Sequence, residues 1–430
     1  MDDARKRIAD VMRHDQGRIL SALVGNLRDF DLAEESLAEA IESALVDWAR
    51  NGPPDRPRAW LISVARRKAI DRIRRQGRFA ERLPDLELLA QADQETACGE
   101  QPEIPDTRLA LIFACCHPLL SQKSQIALTL RTVCGLSTEE VARAFLDTDV
   151  AMGQRLSRAK AKLRQADAGF EVPGPEEWCA RLSAVLAVIW QVYTACYNQP
   201  GPAHRRSADL CDEAIYLSKL LFGMLPEEDE VRGLLALLLF IDSRRAARVA
   251  PDGKAISLAK QDEALWDGDK IAAGFELVPG LRSPRENGAF ALQARINAEH
   301  LRNGPGGTHW RTVLALYDLL YERMPTPVIE LNRIVAMAEI EGPCAGLAAL
   351  AGLEESLSRY CPFHAARADL LARSGAIDEA LGTYDTAIAL APSPADARLL
   401  QDKRDELASF AARMGKKKAE TSSAKSNREV

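Results

Sequence analysis

Apolar side chains recur along this chain at the three-to-four-residue interval of helices, with no stretch of the two-residue alternation that marks strands. In residues 29–75 Leu37, Ile41 and Leu45 repeat every four residues, behind Asp31 as a helix cap and Glu34 three residues on. Gly52-Pro53-Pro54 breaks that helix. The next begins near Pro57, a favoured first-turn residue, and carries Leu61, Ala65, Ala69 and Ile73 as its apolar stripe. Lys68, Arg72 and Arg75 share a different face of it. Over 83–107 the periodicity stops, three prolines enter, and the segment reads as a linker.

The pattern resumes at 108, where two helices flank Pro118. A helix-turn-helix follows: Ser137 caps its first helix and Glu140 closes the box, Val141, Ala142 and Phe145 point inward, and Asp147–Asp149 make a polar turn. In the second helix Met152, Leu156, Ala159 and Leu163 form a buried stripe, leaving Gln154, Arg155, Arg158 and Lys162 outside. After Gly174-Pro175 the chain reads as helical to about residue 411. Within 363–394, Gly375, Ala380, Tyr384, Ala387 and Pro392 sit at the offsets of a tetratricopeptide helix pair, and Gly342, 33 residues before Gly375, marks a degenerate earlier copy. The polar, low-complexity end KKKAETSSAKSNREV is expected to be disordered. The expected fold is all-α.

Charge sharpens this outline. The net charge is −6 over 430 residues. Residues 1–170 balance at 26 basic and 26 acidic side chains, but in blocks. Six acids and no base fall in 31–47, ten bases and two acids in 56–82, seven acids and no base in 83–107, and five bases and no acid in 150–165. Blocks of this size build separate surfaces for separate partners, and two basic blocks split by an acidic linker suit two nucleic-acid contacts on one tethered chain.

Other classes lose ground. No apolar run reaches the roughly 18 residues of a membrane helix, and MDDARKRIAD contains no secretory apolar segment. Nine cysteines, scattered except for Cys115-Cys116, read as reduced thiols of a cytoplasmic protein. Adjacent cysteines chelate poorly and no metal-binding or phosphate-loop spacing accompanies them, so Cys115-Cys116-His117 reads as core packing. No metal, no cofactor and no catalytic constellation is expected. Asp252, Gly253, Asp262 and Trp266 read as a polar inter-helix turn with a buried Trp, kept as a regulatory candidate.

The first ~170 residues resemble the core of the extracytoplasmic-function (ECF) sigma factors of bacterial RNA polymerase. DLAEESLAEAIESAL resembles their helix for the polymerase clamp, PRAWLISVARRKAIDRIRR their −10-reading helix, and the helix-turn-helix their −35-reading domain. LIFACCHPLLSQKSQIALTLR, DGKAISLAKQDEALWD and the repeat unit resemble the subgroup with a long tetratricopeptide-like extension. The resemblance implies a region 2-like domain at 1–82, the acidic linker at 83–107, a region 4-like domain at 108–168, a helical array at 175–411 and a disordered tail at 412–430.

It also distributes roles. Asp31, Glu34, Glu35, Leu37, Glu39 and Ile41 would bind core polymerase. Trp60, Arg66, Arg67, Lys68, Arg72, Arg74 and Arg75 would engage the −10 element, although Trp60 also suits the core. Gln154, Arg155, Arg158, Lys160 and Lys162 would engage the −35 element, with Arg155 and Arg158 on base edges and Lys160, Lys162 and Arg164 on phosphates. The expected partners are core RNA polymerase, promoter DNA and a regulatory protein at the C-terminal domain, with no membrane. Two rival readings remain: a helix-turn-helix regulator with a ligand- or protein-sensing helical domain, and a tetratricopeptide adaptor. Only the first rival needs DNA, and neither needs the second basic helix at 57–75.

Overall fold

Asp29, rather than Asp31, opens the acidic helix. A computed structural model describes residues 2–76, 107–145, 147–166, 168, 170, 172–197, 204–250, 255–302 and 307–426. The expected linker up to residue 106, and Asp252-Gly253, lie outside the described residues. Contacts divide the chain into two units, Met1–Ala195 and Cys196–Val430.

In the first unit α1 (Asp2–Leu27), α2 (Phe30–Asn51) and α3 (Pro57–Gln76) pack as a three-helix bundle. Oδ1 of Asp29 accepts from the amides of Asp31 and Leu32 at 2.9 and 3.1 Å, so the cap lies two residues earlier than the sequence suggested. Gly52 ends α2 at φ +82°. The buried stripe of α2 is Ala33, Leu37, Ala40, Ala44 and Trp48, whose mixed steps of three and four track the 3.6-residue turn. A strict four-residue step overshoots by about 40° each time, which leaves Ile41 half-buried and Leu45 exposed. The α3 stripe is as expected, with Leu61, Ala65, Ala69 and Ile73 all buried.

The second module of this unit holds α4 (Arg108–Cys115), α5 (Gln122–Thr132), α6 (Thr138–Ala144) and α7 (Asp149–Gln165). The Ser137/Glu140 capping box is complete, at 3.2 and 2.7 Å. Thr148 caps α7, and Met152, Leu156, Ala159 and Leu163 are buried beneath it. α1 packs on α4 and α5, closely enough that a Cβ on Gly17 would lie 2.6 Å from the carbonyl oxygen of Val133.

The helix at the expected start of the array packs on the second module. α8 (Pro175–Tyr197) falls in the first unit up to Ala195, because Trp178 and Arg181 pack on Phe113 of α4.

The second unit runs from α9 (His204–Met224) and α10 (Asp229–Asp242) through α11 (Gly268–Leu277), α12 (Ala289–Arg302), α13 (Trp310–Arg323), α14 (Pro327–Glu341), α15 (Pro343–Leu350) and α16 (Glu354–Leu357) to α17 (Cys361–Ser374), α18 (Ile377–Ala389) and α19 (Pro394–Ser426). Most neighbours in sequence are neighbours in space, as in a helical repeat array. α10 is buried nearly all round and packs on both α11 and α12. The repeat pair is α17–α18: Gly375 at φ +91° ends α17 in a left-handed cap, and Ala380, Tyr384 and Ala387 are buried. Gly342, at φ +96°, separates α14 from α15 in the preceding pair. The tail expected to be disordered from 412 is helical to Ser426. Its Lys, Ala and Glu residues are strong helix formers and continue a helix already nucleated by packing. Among the described residues the only β pairing is an isolated bridge between Val249 and Ala255.

Candidate nucleic-acid interface

The helix-turn-helix presents α7 with two polar faces. Gln154 and Arg158 are exposed, and Arg158 donates to the carbonyl of Gln154 on its own helix at 3.2 Å. Arg155 is braced: it pairs with Asp147 at 2.8 Å, lies over the Phe145 ring at 5.7 Å and donates to the Met152 sulfur. Lys162 is exposed and donates to the carbonyl of Leu119.

Lys160 is drawn into a contact that its sequence position does not announce. Its side chain is 10% exposed, and Nζ lies 2.6 Å from Oε2 of Glu34 and 3.4 Å from Oδ1 of Asp31. Arg164, one turn on, lies 3.2 Å from both Asp29 and Asp31. The hydrogen bond to Asp29 and the two nearby charges hold its guanidinium more firmly protonated than usual. At about 100° per residue, Lys160 lies about 160° round α7 from Arg158, and Arg164 about 120° from it. In this arrangement Lys160 and Arg164 grip α2.

On α3, Arg67 and Arg75 are exposed and Lys68 is half-buried, lining a shallow groove with Glu39, Glu42, Val46, Asp47 and Arg50 of α2. Arg74 is exposed as well. Arg72 pairs with Glu35 at 2.7 Å and Glu39 at 3.4 Å, so a residue assigned to DNA and two assigned to polymerase neutralise one another here. Arg66 is buried, since its position continues the inner face of α3. Trp60 meets Trp48 edge to face at 5.5 Å, the core reading of that residue.

Among the acidic-helix residues, Leu37 is buried and serves the bundle core, which removes it from any surface role. Asp31 and Glu34 are taken up by α7, Glu35 and Glu39 face Arg72 of α3, and Ile41 is half-buried. Sequence reading missed Glu42, Leu45 and Val46, which are exposed together, with Val46 at 56%. The Ala33-Ala40-Ala44 spacing would have placed them outside, had it been used to set the helix register.

Cys115 and Cys116 are buried. Burial, only partly offset by the Thr129 hydroxyl, pushes the Cys116 thiol up to about 12, so both thiols stay protonated and pack as small apolar groups. In the second unit Asp262 caps a short turn by accepting from Ala264 N at 3.0 Å, and Trp266 is half-buried. No helix among the described residues is long and apolar enough to cross a membrane.

The two modules match two known descriptions in order: sigma-70 region 2 over residues 11–79 and sigma-70 region 4 over 110–163. A family of unknown function, DUF6596, matches residues 181–280. This is the domain set of a sigma factor, a protein class that recognises promoter DNA together with core RNA polymerase. An uncharacterized protein of Rhizobium meliloti (strain 1021) is 41% identical over 394 residues, covering 90% of this chain and 93% of that one. The chain belongs to the ECF-like sigma factors with a C-terminal extension.

Proposed function

We propose that this protein is a dissociable initiation subunit of the cytoplasm that binds core RNA polymerase, reads the −35 element through α7 and helps open the −10 element through α3. The observation that carries this reading is the exposed Gln154-Arg158 face with braced Arg155, on one chain with a second basic helix beside an acidic one. A guanidinium held in place loses less freedom when it bonds a guanine edge bidentately. Arg67, Lys68, Arg74 and Arg75 supply the cations for the −10 strands. Glu35, Glu39, Glu42 and Val46 form the acidic and apolar face that suits the polymerase clamp, with half-buried Ile41 to one side of it. The polymerase performs the bond chemistry and this chain performs none. The helical extension modulates initiation.

Run-off transcription with purified core polymerase over a pool of genomic promoters tests the reading. Start-site-specific transcripts should depend on the added protein. Tight, palindrome-centred duplex binding without polymerase would instead establish the helix-turn-helix regulator, which docks as a dimer.

A further inference from the structure

Two positions on the outward face of α7 do nothing for the fold. Val150 is 72% exposed, more than any other large apolar side chain among the described residues. It packs on nothing that would reward burial, and a β-branched residue is a weak helix former. Gly153 is the second. Its φ is not positive, and a Cβ built there would meet nothing within 4 Å. Neither turn geometry nor crowding therefore calls for glycine in the interior of a helix that glycine weakens.

Both residues border the exposed Gln154 and Arg158. At about 100° per residue, Ser157 and Ala161 stand about 20° from Val150, Gln154 about 40° and Gly153 about 60°. Ser157 is exposed and Ala161 half-buried. The result is a low, uncharged strip along the crest of the helix. The cations of this face lie further round in one direction, Arg158 at about 80°, Lys162 at about 120° and Arg155 at about 140° from Val150. Beside Val150 the exposed neighbour is Asp149, which repels phosphate. Whatever meets Val150 is thus not the DNA backbone. Of the groups that base pairs present in the major groove, the C5 methyl of thymine is the apolar one.

We propose that Val150 reads a thymine methyl in the upstream promoter element, and that Gly153 leaves α7 room to sit that close to the groove. The inference rests on the proposed role of α7 in promoter reading and adds to it a second kind of contact. Arg155 and Arg158 recognise hydrogen-bonding edges, while Val150 recognises apolar surface. Their spacing limits where the thymine lies. Eight residues of helix rise about 12 Å, and base pairs stack about 3.4 Å apart, so the thymine falls within about four base pairs of the one read by Arg158.

Replacing thymine by uracil removes this methyl and nothing else, which makes the contact testable on the full chain. Holoenzyme is assembled from core polymerase and this protein, on a promoter that it transcribes. Each thymine of the upstream element is then changed to uracil in turn, and binding is measured by competition. One position should lose about fourfold in affinity, the effect of one methyl group left in water. Val150→Ala should lose a similar factor on the thymine duplex and be indifferent to uracil at that position. Alanine is the better helix former, so this variant should stay folded by circular dichroism. Gly153→Ala should melt no lower than the unaltered protein, yet bind the promoter several-fold more weakly. An upstream element with no thymine in that range, uracil effects that are the same in Val150→Ala, or undiminished binding by Gly153→Ala would each overturn the proposal. A sequence-blind loss in Val150→Ala would make Val150 a polymerase contact instead. Failure of the underlying reading is distinguishable, because it shows earlier, as run-off transcription that does not depend on the added protein.

Discussion

The guanidinium of Arg181 donates to the main-chain carbonyl of Phe113 at 2.9 Å, joining α8 to the last turn of α4. The last carbonyls of a helix have no partner within it, and a cation there also meets the negative end of the helix dipole. Trp178 covers the same residue, with its ring 5.5 Å from that of Phe113. The second module is therefore complete only when α8 is present.

A fragment ending at residue 170 should accordingly be less stable than one ending at residue 195. Losing a charged donor to a buried acceptor costs about 1–3 kcal/mol, and a loss of about 2 kcal/mol lowers the melting temperature of a unit this size by about 4–8 °C. Arg181→Met in the full chain isolates the donor term. Differential scanning calorimetry on the two fragments and the variant checks the expectation, and equal melting temperatures for the fragments would remove α8 from the module.

In the second unit Asp242 carries a fully buried carboxylate that lies 2.6 Å from Arg245 and 3.0 Å from Lys270, tying α10 to α11. Burial works against the charge of Lys270, but its hydrogen bonds to Asp242 and Asp267 outweigh it and raise its pKa. Asp242→Ala would remove the buried partner that two cations share, leaving Arg245 with Asp212 and Lys270 with Asp267. The expected cost is about 3 kcal/mol, at the low end for breaking a buried pair because both cations keep partial access to water. Urea unfolding of the full chain measures it. A change under about 0.5 kcal/mol would place Asp242 among the dispensable surface pairs.

Helix positions and module order were legible because they rest on short-range chemistry: Ser137 with Glu140, Pro57, Gly375, and the Met152-to-Leu163 stripe. The register of α2 was not, because alanines at 33, 40 and 44 carry the core there and a leucine-based pattern overlooks them. The same error put Leu37 among surface contacts. The partners of Lys160 and Arg164 were hidden for a different reason. Asp29, Asp31 and Glu34 lie more than 120 residues away in sequence, and helical periodicity shows which side of a helix a charge is on but not what packs against that side. The location of α8 was hidden likewise, since Gly174-Pro175 is a local break and Phe113 is a distant partner.

His300 gives the second unit an acid-sensitive point. Its ring is edge-on to Trp310 at 5.5 Å. Burial, helped by nearby Arg244 and opposed by Glu299, holds the imidazole below its usual pKa of 6.5. As pH falls through about 6.5 the unfolded chain takes up the proton first. The stability contribution is therefore full above that value and declines as pH drops toward the lower folded-state pKa. In full-length protein the urea midpoint of the second unit should fall between pH 7 and pH 5.5, and His300→Gln should flatten that slope whatever its effect at pH 7. Identical slopes in the two proteins would assign the acid sensitivity elsewhere.

The face of α7 makes the sharpest prediction about promoter reading. Gln154 and Arg158 are exposed and Arg155 is aimed by Asp147 and Phe145, so on the proposed reading these three would reach base edges, whereas Lys162 carries charge without a planar fork. With core polymerase present, Arg155→Ala and Arg158→Ala should each weaken binding to the preferred upstream element by about 1–3 kcal/mol. They should also narrow the gap between preferred and altered elements. Lys162→Ala should weaken all sequences alike and lower the salt dependence by about one phosphate contact. Asp147→Asn should resemble a mild Arg155→Ala, since it removes the brace and leaves the fork. The measurement is competition binding of matched and altered promoter duplexes to the reconstituted holoenzyme at two salt concentrations. Uniform, sequence-blind losses in Arg155→Ala and Arg158→Ala would move both residues from base edges to phosphates.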